Sequence, residues 1–186
     1  MTLTLPPGHS LLFGYGSLLS IRSLERTLGR TYDGPFLPCT ITGWRRSWDA
    51  AMSNDIYFTD TEDGPMYPEN ILYLNIRRDS GTRLNGVVFM VDEAELANFD
   101  KRESIYDRVE ISRELNPIVT NGPAFVYVCK PEHQLSEVGS PRQGAIRASY
   151  IDIVQTGLSA FDDEFRGAYL ASTDRPPEHL IIRDRS

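Results

Sequence analysis

Chemical equipment that many protein classes depend on is scarce in this chain. Of 186 residues only two are cysteine and three are histidine. Two cysteines do not make a disulfide framework, and Cys39 and Cys129, each inside a strand-like run, read as small buried hydrophobes. His9 and His179 lie in terminal segments and His133 in a polar linker, without metal-ligand spacing. Neither a metal centre nor a histidine-based triad is therefore expected. No apolar run, including that around Gly86 to Val91, approaches the ~20 residues of a membrane-spanning helix. The amino terminus, MTLTLPPGHS, lacks the basic-then-apolar order of a secretory signal, so a reducing, cytoplasmic setting is expected. Positive charge is in deficit, with 19 Lys and Arg against 26 Asp and Glu, a formal −7. That balance disfavours polyphosphate backbones, and nucleic acid is not expected as a partner.

What is present is an ordinary globular composition, 40% hydrophobic and 24% charged, at a length suited to one domain over residues 1–186. Leu11 to Tyr15 reads as a strand, followed by a helix with Ser20 at its N-cap, Ile21, Leu24 and Leu28 on one face, and Gly29 as its stop. Phe36 to Trp44 and Arg46 to Met52 read as two further strands. Ile71 to Ile76 and Leu84 to Val91, separated by Arg78-Asp79-Ser80-Gly81-Thr82, read as a hairpin. Asp92-Glu93-Ala94-Glu95 opens a helix in capping-box form that ends near Arg102. Tyr106 to Ser112 and Ala124 to Lys130 are expected as strands. A polar linker, Pro131 to Gly144, precedes a long helical pattern that opens at Ser149-Tyr150 and is extended or restarted by Phe165 to Leu170. The tail from Ser172 has no pattern. Strands outnumber helices and come in neighbouring pairs, which indicates an α+β fold rather than repeated βαβ units.

Between the first strand and helix lies FGYGSL, Phe13 to Leu18, with two glycines around one tyrosine. Glycine weakens a strand, so either the chain turns there at positive φ or its backbone passes close to another group. A dinucleotide fingerprint would need glycine at Leu19, and a nucleophile elbow would need glycine at Tyr15 and Leu19. Both motifs fail. A second notable segment, Asp100-Lys101-Arg102-Glu103-Ser104-Ile105-Tyr106, joins the middle helix to the next strand.

FGYGSL, GWRRSW at Gly43 to Trp48, GVVFMVDEAELANFDKRESIYDRVEI from Gly86 to Ile111, and ASYIDIVQTGL near the end together resemble the gamma-glutamylcyclotransferase-like family, including its ChaC-like branch. Two departures are visible: Phe99 stands where leucine is usual, and the ChaC-like branch's Trp soon after the first motif is missing. The resemblance implies a small, mixed, mainly antiparallel β-barrel-like core wrapped by helices, with a cavity at one end. It also implies a reaction without cofactor, in which a small γ-glutamyl substrate closes on itself to 5-oxoproline and expels an amine or amino acid. Glu103 is then the candidate acid/base. Tyr15, Gly16, Ser17 and Leu18 would cradle the substrate through main-chain amides, and Tyr106 and Tyr150 would line the cavity. Arg45 and Arg46 read as surface ion-pair formers, with a substrate carboxylate as the alternative partner. The acidic stretch Ser53 to Asn70, with Asp55, Asp60, Glu62, Asp63 and Glu69 and no Lys or Arg, reads as a long loop with at most a short element of its own. Folded over the cavity mouth, it would disfavour anionic leaving groups. A non-catalytic small-ligand or partner-binding domain on the same fold is the alternative from another class, and the oligomeric state has no sequence marker.

Overall fold

The computed structural model describes residues 1–186. After the short strand Thr2–Leu3 (β1), the apolar run His9–Gly14 forms β2, and period-two alternation sends its side chains to opposite faces. Leu11 and Phe13 enter one buried cluster and Leu12 another. A single 3-10 turn, Ser17–Leu19, leads into α1, Ile21–Leu28, which Gly29 ends as expected, although the Ser20 side chain makes no capping bond.

The next two strands of the sheet are far longer than expected. Phe36–Ser53 (β3) is continuous across Arg45, and Asn70–Asp92 (β6) runs for 23 residues. Between them, Thr59–Thr61 (β4) and Gly64–Met66 (β5) pair antiparallel within the acidic stretch, a small hairpin that is the short element in an otherwise irregular connection. The hairpin expected between Ile71 to Ile76 and Leu84 to Val91 does not form, because both halves of β6 pair with β3, from Phe36↔Phe89 to Ser53↔Asn70. Register jumps between Thr42↔Arg83 and Trp44↔Arg78, so Asp79 to Thr82 bulge outward from the ribbon. The turn chemistry seen in the sequence is real there, with the Gly81 N–H donating to Asp79 Oδ1 at 3.2 Å, but it makes a bulge. Gly43, at φ +85°, supplies the left-handed residue the facing strand needs. The Arg78 guanidinium closes over the Trp44 ring at 3.8 Å.

Asp92 caps α2, Glu93–Arg102, with both bonds of the capping box present. Tyr106–Glu110 (β7), Leu115–Asn116 (β8), Val119–Thr120 (β9) and Ala124–Cys129 (β10) follow, then Ile146–Arg147 (β11), α3 (Ala148–Leu158), α4 (Asp163–Ala171) and Ile181–Ile182 (β12). Six strands form one sheet in the order β7-β10-β2-β6-β3-β8, antiparallel throughout except for β10 against β2. The long bulged β3–β6 ribbon curls this sheet into a half-barrel. One face carries the larger cluster, in which Phe13, Leu74 and Val87 meet Tyr150 and Val154 of α3 and Tyr169 of α4. On the opposite face Leu24 of α1 and Phe99 of α2 pack with Leu12, Phe89 and Tyr127. No helix is long and apolar enough to cross a membrane.

The tail that showed no pattern is a strap. β12 pairs parallel to β11, Arg185 exchanges main-chain bonds with Phe58, and Asp174 receives Arg45 at 2.5 Å and Arg77 at 3.0 Å. Arg45 is thus the surface ion pair the sequence suggested. Arg46 is not: it is fully buried and has no carboxylate partner. Its guanidinium donates to the carbonyls of Tyr15 and Asn85 and to Ser172 Oγ, and lies over the Tyr169 ring at 3.7 Å. A charge taken from water is tolerated when its donors are satisfied, and these neutral acceptors together with the ring satisfy them.

Candidate active site

The junction from β2 to α1 and the end of α2 meet at one edge of the half-barrel. There an inner chamber of ≈ 40 Å³ is lined by Tyr15, Gly16, Ser17, Leu18, Tyr106 and Tyr150, together with Glu103 and the apolar walls. An outer cleft of ≈ 240 Å³ shares Ser17, Glu103, Tyr106 and Tyr150 with it. All seven residues singled out from the sequence therefore surround one continuous feature, and Glu103 stands where its two compartments meet.

Glu103 is the C-cap of α2, its N–H donating to Phe99 O at 2.8 Å, so the well-capped helix fixes where the carboxylate emerges. Its side chain is 17% exposed, and Arg102 Nε lies 3.1 Å from Oε1. Burial raises the Glu103 pKa above the ordinary carboxylate range, and the Arg102 charge opposes that rise without cancelling it. Sequence reasoning gave Arg102 no role. A basic residue in the last turn of a helix ordinarily complements the helix dipole, and nothing in the pattern said otherwise. In the structure its guanidinium reaches back to α1 and the turn before it, donating to Ser17 Oγ at 2.8 Å, Thr27 Oγ1 at 2.6 Å and Ser23 Oγ at 3.1 Å. One side chain thereby ties both halves of the site together. Ser17 Oγ accepts that bond, which leaves its own proton free to donate.

The glycines of FGYGSL answer to close approach. A Cβ on Gly14 would lie 2.9 Å from Leu18 Cβ, and one on Gly16 would lie 3.0 Å from Tyr150 Oη, at the chamber wall. Gly16 is at φ −123°, so the positive-φ turn does not occur. The main-chain N–H groups of Gly16, Ser17 and Leu18 donate to no acceptor in the protein. The Tyr15 carbonyl accepts from Arg46 Nε at 2.9 Å and from Tyr169 Oη at 3.0 Å. A trans peptide directs its N–H opposite to its C=O, so this clamp turns the Gly16 N–H away from Arg46. Consecutive free amides ahead of a helix form a concavity for negatively charged oxygen.

Three tyrosines complete the walls. Tyr15 Oη donates to Tyr127 O at 2.8 Å, Tyr106 Oη donates to Leu74 O at 2.9 Å, and Tyr150 packs edge-on to Tyr73 with ring centroids 5.0 Å apart. Burial raises the pKa of Tyr15, Tyr106 and Tyr150, with the Glu103 carboxylate adding to each rise, so all three hydroxyls stay protonated at neutral pH. None of Asp55, Asp60, Glu62, Asp63 and Glu69 lines the cleft; Asp60 is paired with Arg185 at 3.0 Å, and the stretch meets a cleft residue through Tyr57, over whose ring Arg147 lies at 3.7 Å. Arginines line the cleft instead, Arg26 and Arg147 joining Arg102.

A curled, mainly antiparallel half-barrel with helices packed on its faces is the fold of gamma-glutamyl cyclotransferase-like structures. The sequence matches the model of the family described as gamma-glutamyl cyclotransferase, AIG2-like, over residues 12–145, and the chain belongs to that family. No curated protein matches it in sequence. Among solved structures it is similar to an uncharacterized human protein, loc79017, with 14% identity, 92% of this chain and 90% of that one covered, and a TM-score of 0.62. It is also similar to a gamma-glutamyl cyclotransferase, with 13% identity, 94% coverage of both chains and a TM-score of 0.59. A glutathione-specific gamma-glutamyl cyclotransferase from yeast, with 13% identity, 89% and 96% coverage and a TM-score of 0.51, has the same fold.

Proposed function

We propose that the protein is a cyclotransferase that converts a γ-glutamyl amine or peptide to 5-oxoproline and the free amine, with Glu103 as its acid/base. The observation that carries this is the position of Glu103, a partly buried carboxylate of raised pKa between the two compartments, with Arg102 joining it to the free-amide turn. The substrate's α-nitrogen attacks its own γ-carbonyl carbon, a carbon–nitrogen bond closes the five-membered ring, and the original amide carbon–nitrogen bond breaks. Glu103 takes the proton the α-nitrogen loses and returns it to the departing nitrogen, so one carboxylate serves both steps and is regenerated. The amides of Gly16, Ser17 and Leu18 and the Ser17 hydroxyl offer donors to the oxyanion that forms at the γ-carbonyl. Nucleophile and electrophile are already joined, so the enzyme's main task is to fold the substrate into the chamber, and well-oriented intramolecular reactions gain about 7–11 kcal/mol in this way. No external cofactor enters the balance.

The test is a screen for 5-oxoproline release from γ-glutamyl amino acids, γ-glutamyl peptides and γ-glutamyl amines. Release of ring product with stoichiometric free amine from at least one class is expected. Silence across all three, with ligand binding retained, would make the protein a binding domain on this fold.

A further inference from the structure

The cleft outside Glu103 is built with an excess of cations. Arg26 comes from α1, Arg102 from the end of α2 and Arg147 from β11, and Glu103 is the sole carboxylate among the lining residues. Three guanidinium groups against one carboxylate leave a formal +3 − 1 = +2 in a protein whose net charge is −7. Such a concentration against the overall sign is not what a solvated surface of this composition would produce by default.

The three groups differ in how far the protein satisfies them. Arg102 is engaged by Glu103 and by the hydroxyls of α1. Arg147 lies over the Tyr57 ring at 3.7 Å, and its carboxylate partner, Asp184 at 3.6 Å, is shared with the Ser149 N–H at 3.0 Å and the Ser149 hydroxyl at 2.5 Å. The Arg147 Nε is buried and has no acceptor. Arg26 is exposed and enters none of the ion pairs. The buried Nε is closed to an incoming group, but the Arg147 side chain is 12% exposed beside the cleft, so its outer N–H groups are the ones an acceptor from outside would meet. A planar fork held over an aromatic ring suits a carboxylate better than a neutral amide.

The inner chamber contains no basic residue among its lining; its unused donors are main-chain amides and hydroxyls. If the ring-closing glutamyl portion occupies that chamber beside Glu103, the portion that leaves must extend into the outer cleft, toward Arg147 and Arg26. We propose that this cleft is a carboxylate subsite for the leaving portion. The preferred substrates are then γ-glutamyl amino acids and peptides with a free carboxylate beyond the scissile bond, rather than γ-glutamyl amines. This rests on the cyclotransferase reading for the placement of the glutamyl portion, and it reverses the selectivity suggested by the acidic stretch, whose carboxylates do not line the cleft.

The test compares γ-glutamylglycine with γ-glutamylglycinamide, which differ by one carboxylate on the leaving portion and keep the glutamyl portion unchanged. Two readouts are taken: kcat/KM for 5-oxoproline release by the wild type, and calorimetric affinity for the Glu103→Gln protein, which holds ligand without turnover. The expected result is at least a tenfold preference for the carboxylate at low salt in both readouts, narrowing as salt screens the charges. Arg147→Gln and Arg26→Gln should each cut that preference several-fold, the exposed Arg26 variant guarding against a folding defect at Arg147. Equal handling of the two compounds by the wild type, or a preference untouched by both substitutions, overturns the proposal. So does an equal loss for both compounds in Arg147→Gln, which would assign the arginine to the glutamyl carboxylate. Calorimetric preference without any 5-oxoproline would keep the subsite and sink the cyclotransferase reading. Failure of both compounds to bind would sink the two together.

Discussion

Replacing Glu103 by Gln separates catalysis from stability because the two are expected to move in opposite directions. The amide keeps the length and shape of the side chain but cannot carry a proton between nitrogens. Loss of a positioned acid/base typically costs 10²–10⁴-fold in kcat, or about 2.7–5.4 kcal/mol at 1.36 kcal/mol per decade. Stability follows from the raised pKa. A carboxyl whose folded-state pKa lies above its unfolded value binds its proton more readily in the folded chain, so stability falls as pH rises through the window between the two values. The ionised Glu103 therefore weighs against folding above its raised pKa, and that penalty vanishes below the ordinary glutamate value of ~4.3. Gln stays neutral throughout. At neutral pH the variant should melt at or above the wild-type temperature, and the difference should close as pH falls below that value. The wild-type rate should have its acid limb above the ordinary carboxylate range, since the base must be ionised to act. Thermal denaturation across a pH series and quantified 5-oxoproline formation give both measurements. Turnover by Glu103→Gln within tenfold of wild type refutes the assignment. A loss of activity matched by a loss of melting temperature at neutral pH would show instead that Glu103 acts by holding Arg102.

Gly16→Ala places a Cβ 3.0 Å from Tyr150 Oη at the chamber wall. A drop of about tenfold or more in kcat/KM is expected, since a displacement of ~1 Å can cost 10²-fold, and unaltered kinetics would remove the close-approach account. Asp92→Ala breaks the capping box of the helix whose other end presents Glu103, so about 1 kcal/mol of stability and ~2–4 °C in melting temperature should be lost. A melting curve superimposable on wild type would show that the cap contributes nothing.

The site was more legible in the sequence than the sheet was. FGYGSL and DKRES are local: each carries its residue types and its helix boundary within a few positions, and the folding of that boundary brings the candidate groups to one cavity. The failures concern partners distant along the chain. Asp79-Ser80-Gly81 has the chemistry of a hairpin turn, and only the continuous pairing of β6 with β3 on both sides makes it a bulge. Arg46 has no sequence mark separating it from Arg45, because what buries it is Ser172, 126 residues away, together with the Tyr169 ring and the Tyr15 carbonyl. Arg147 precedes a recognisable helix, yet its direction into the cleft is set by Tyr57 and Asp184, neither near it in sequence. The acidic stretch was recognised by composition, but composition does not say that its Asp60 folds away onto Arg185.

The strap formed by residues 172–185 also sets a timetable. Arg45, Arg46 and Arg77 find acceptors at Ser172 and Asp174, and Arg147 faces Asp184 at 3.6 Å. Arg45 and Asp174 are 129 residues apart, which at ~5–20 residues per second is roughly 6–26 s of synthesis. By the time Ala171 has been added, a growing chain holds every strand of the six-stranded sheet and most of the groups around Arg46, yet Ser172, which completes the Arg46 contacts, and Asp184, which faces Arg147, have still to be made. A translation product that stops short there would keep most of its core and every residue that lines the cleft, but would hold Arg46 and Arg147 without Ser172 and Asp184.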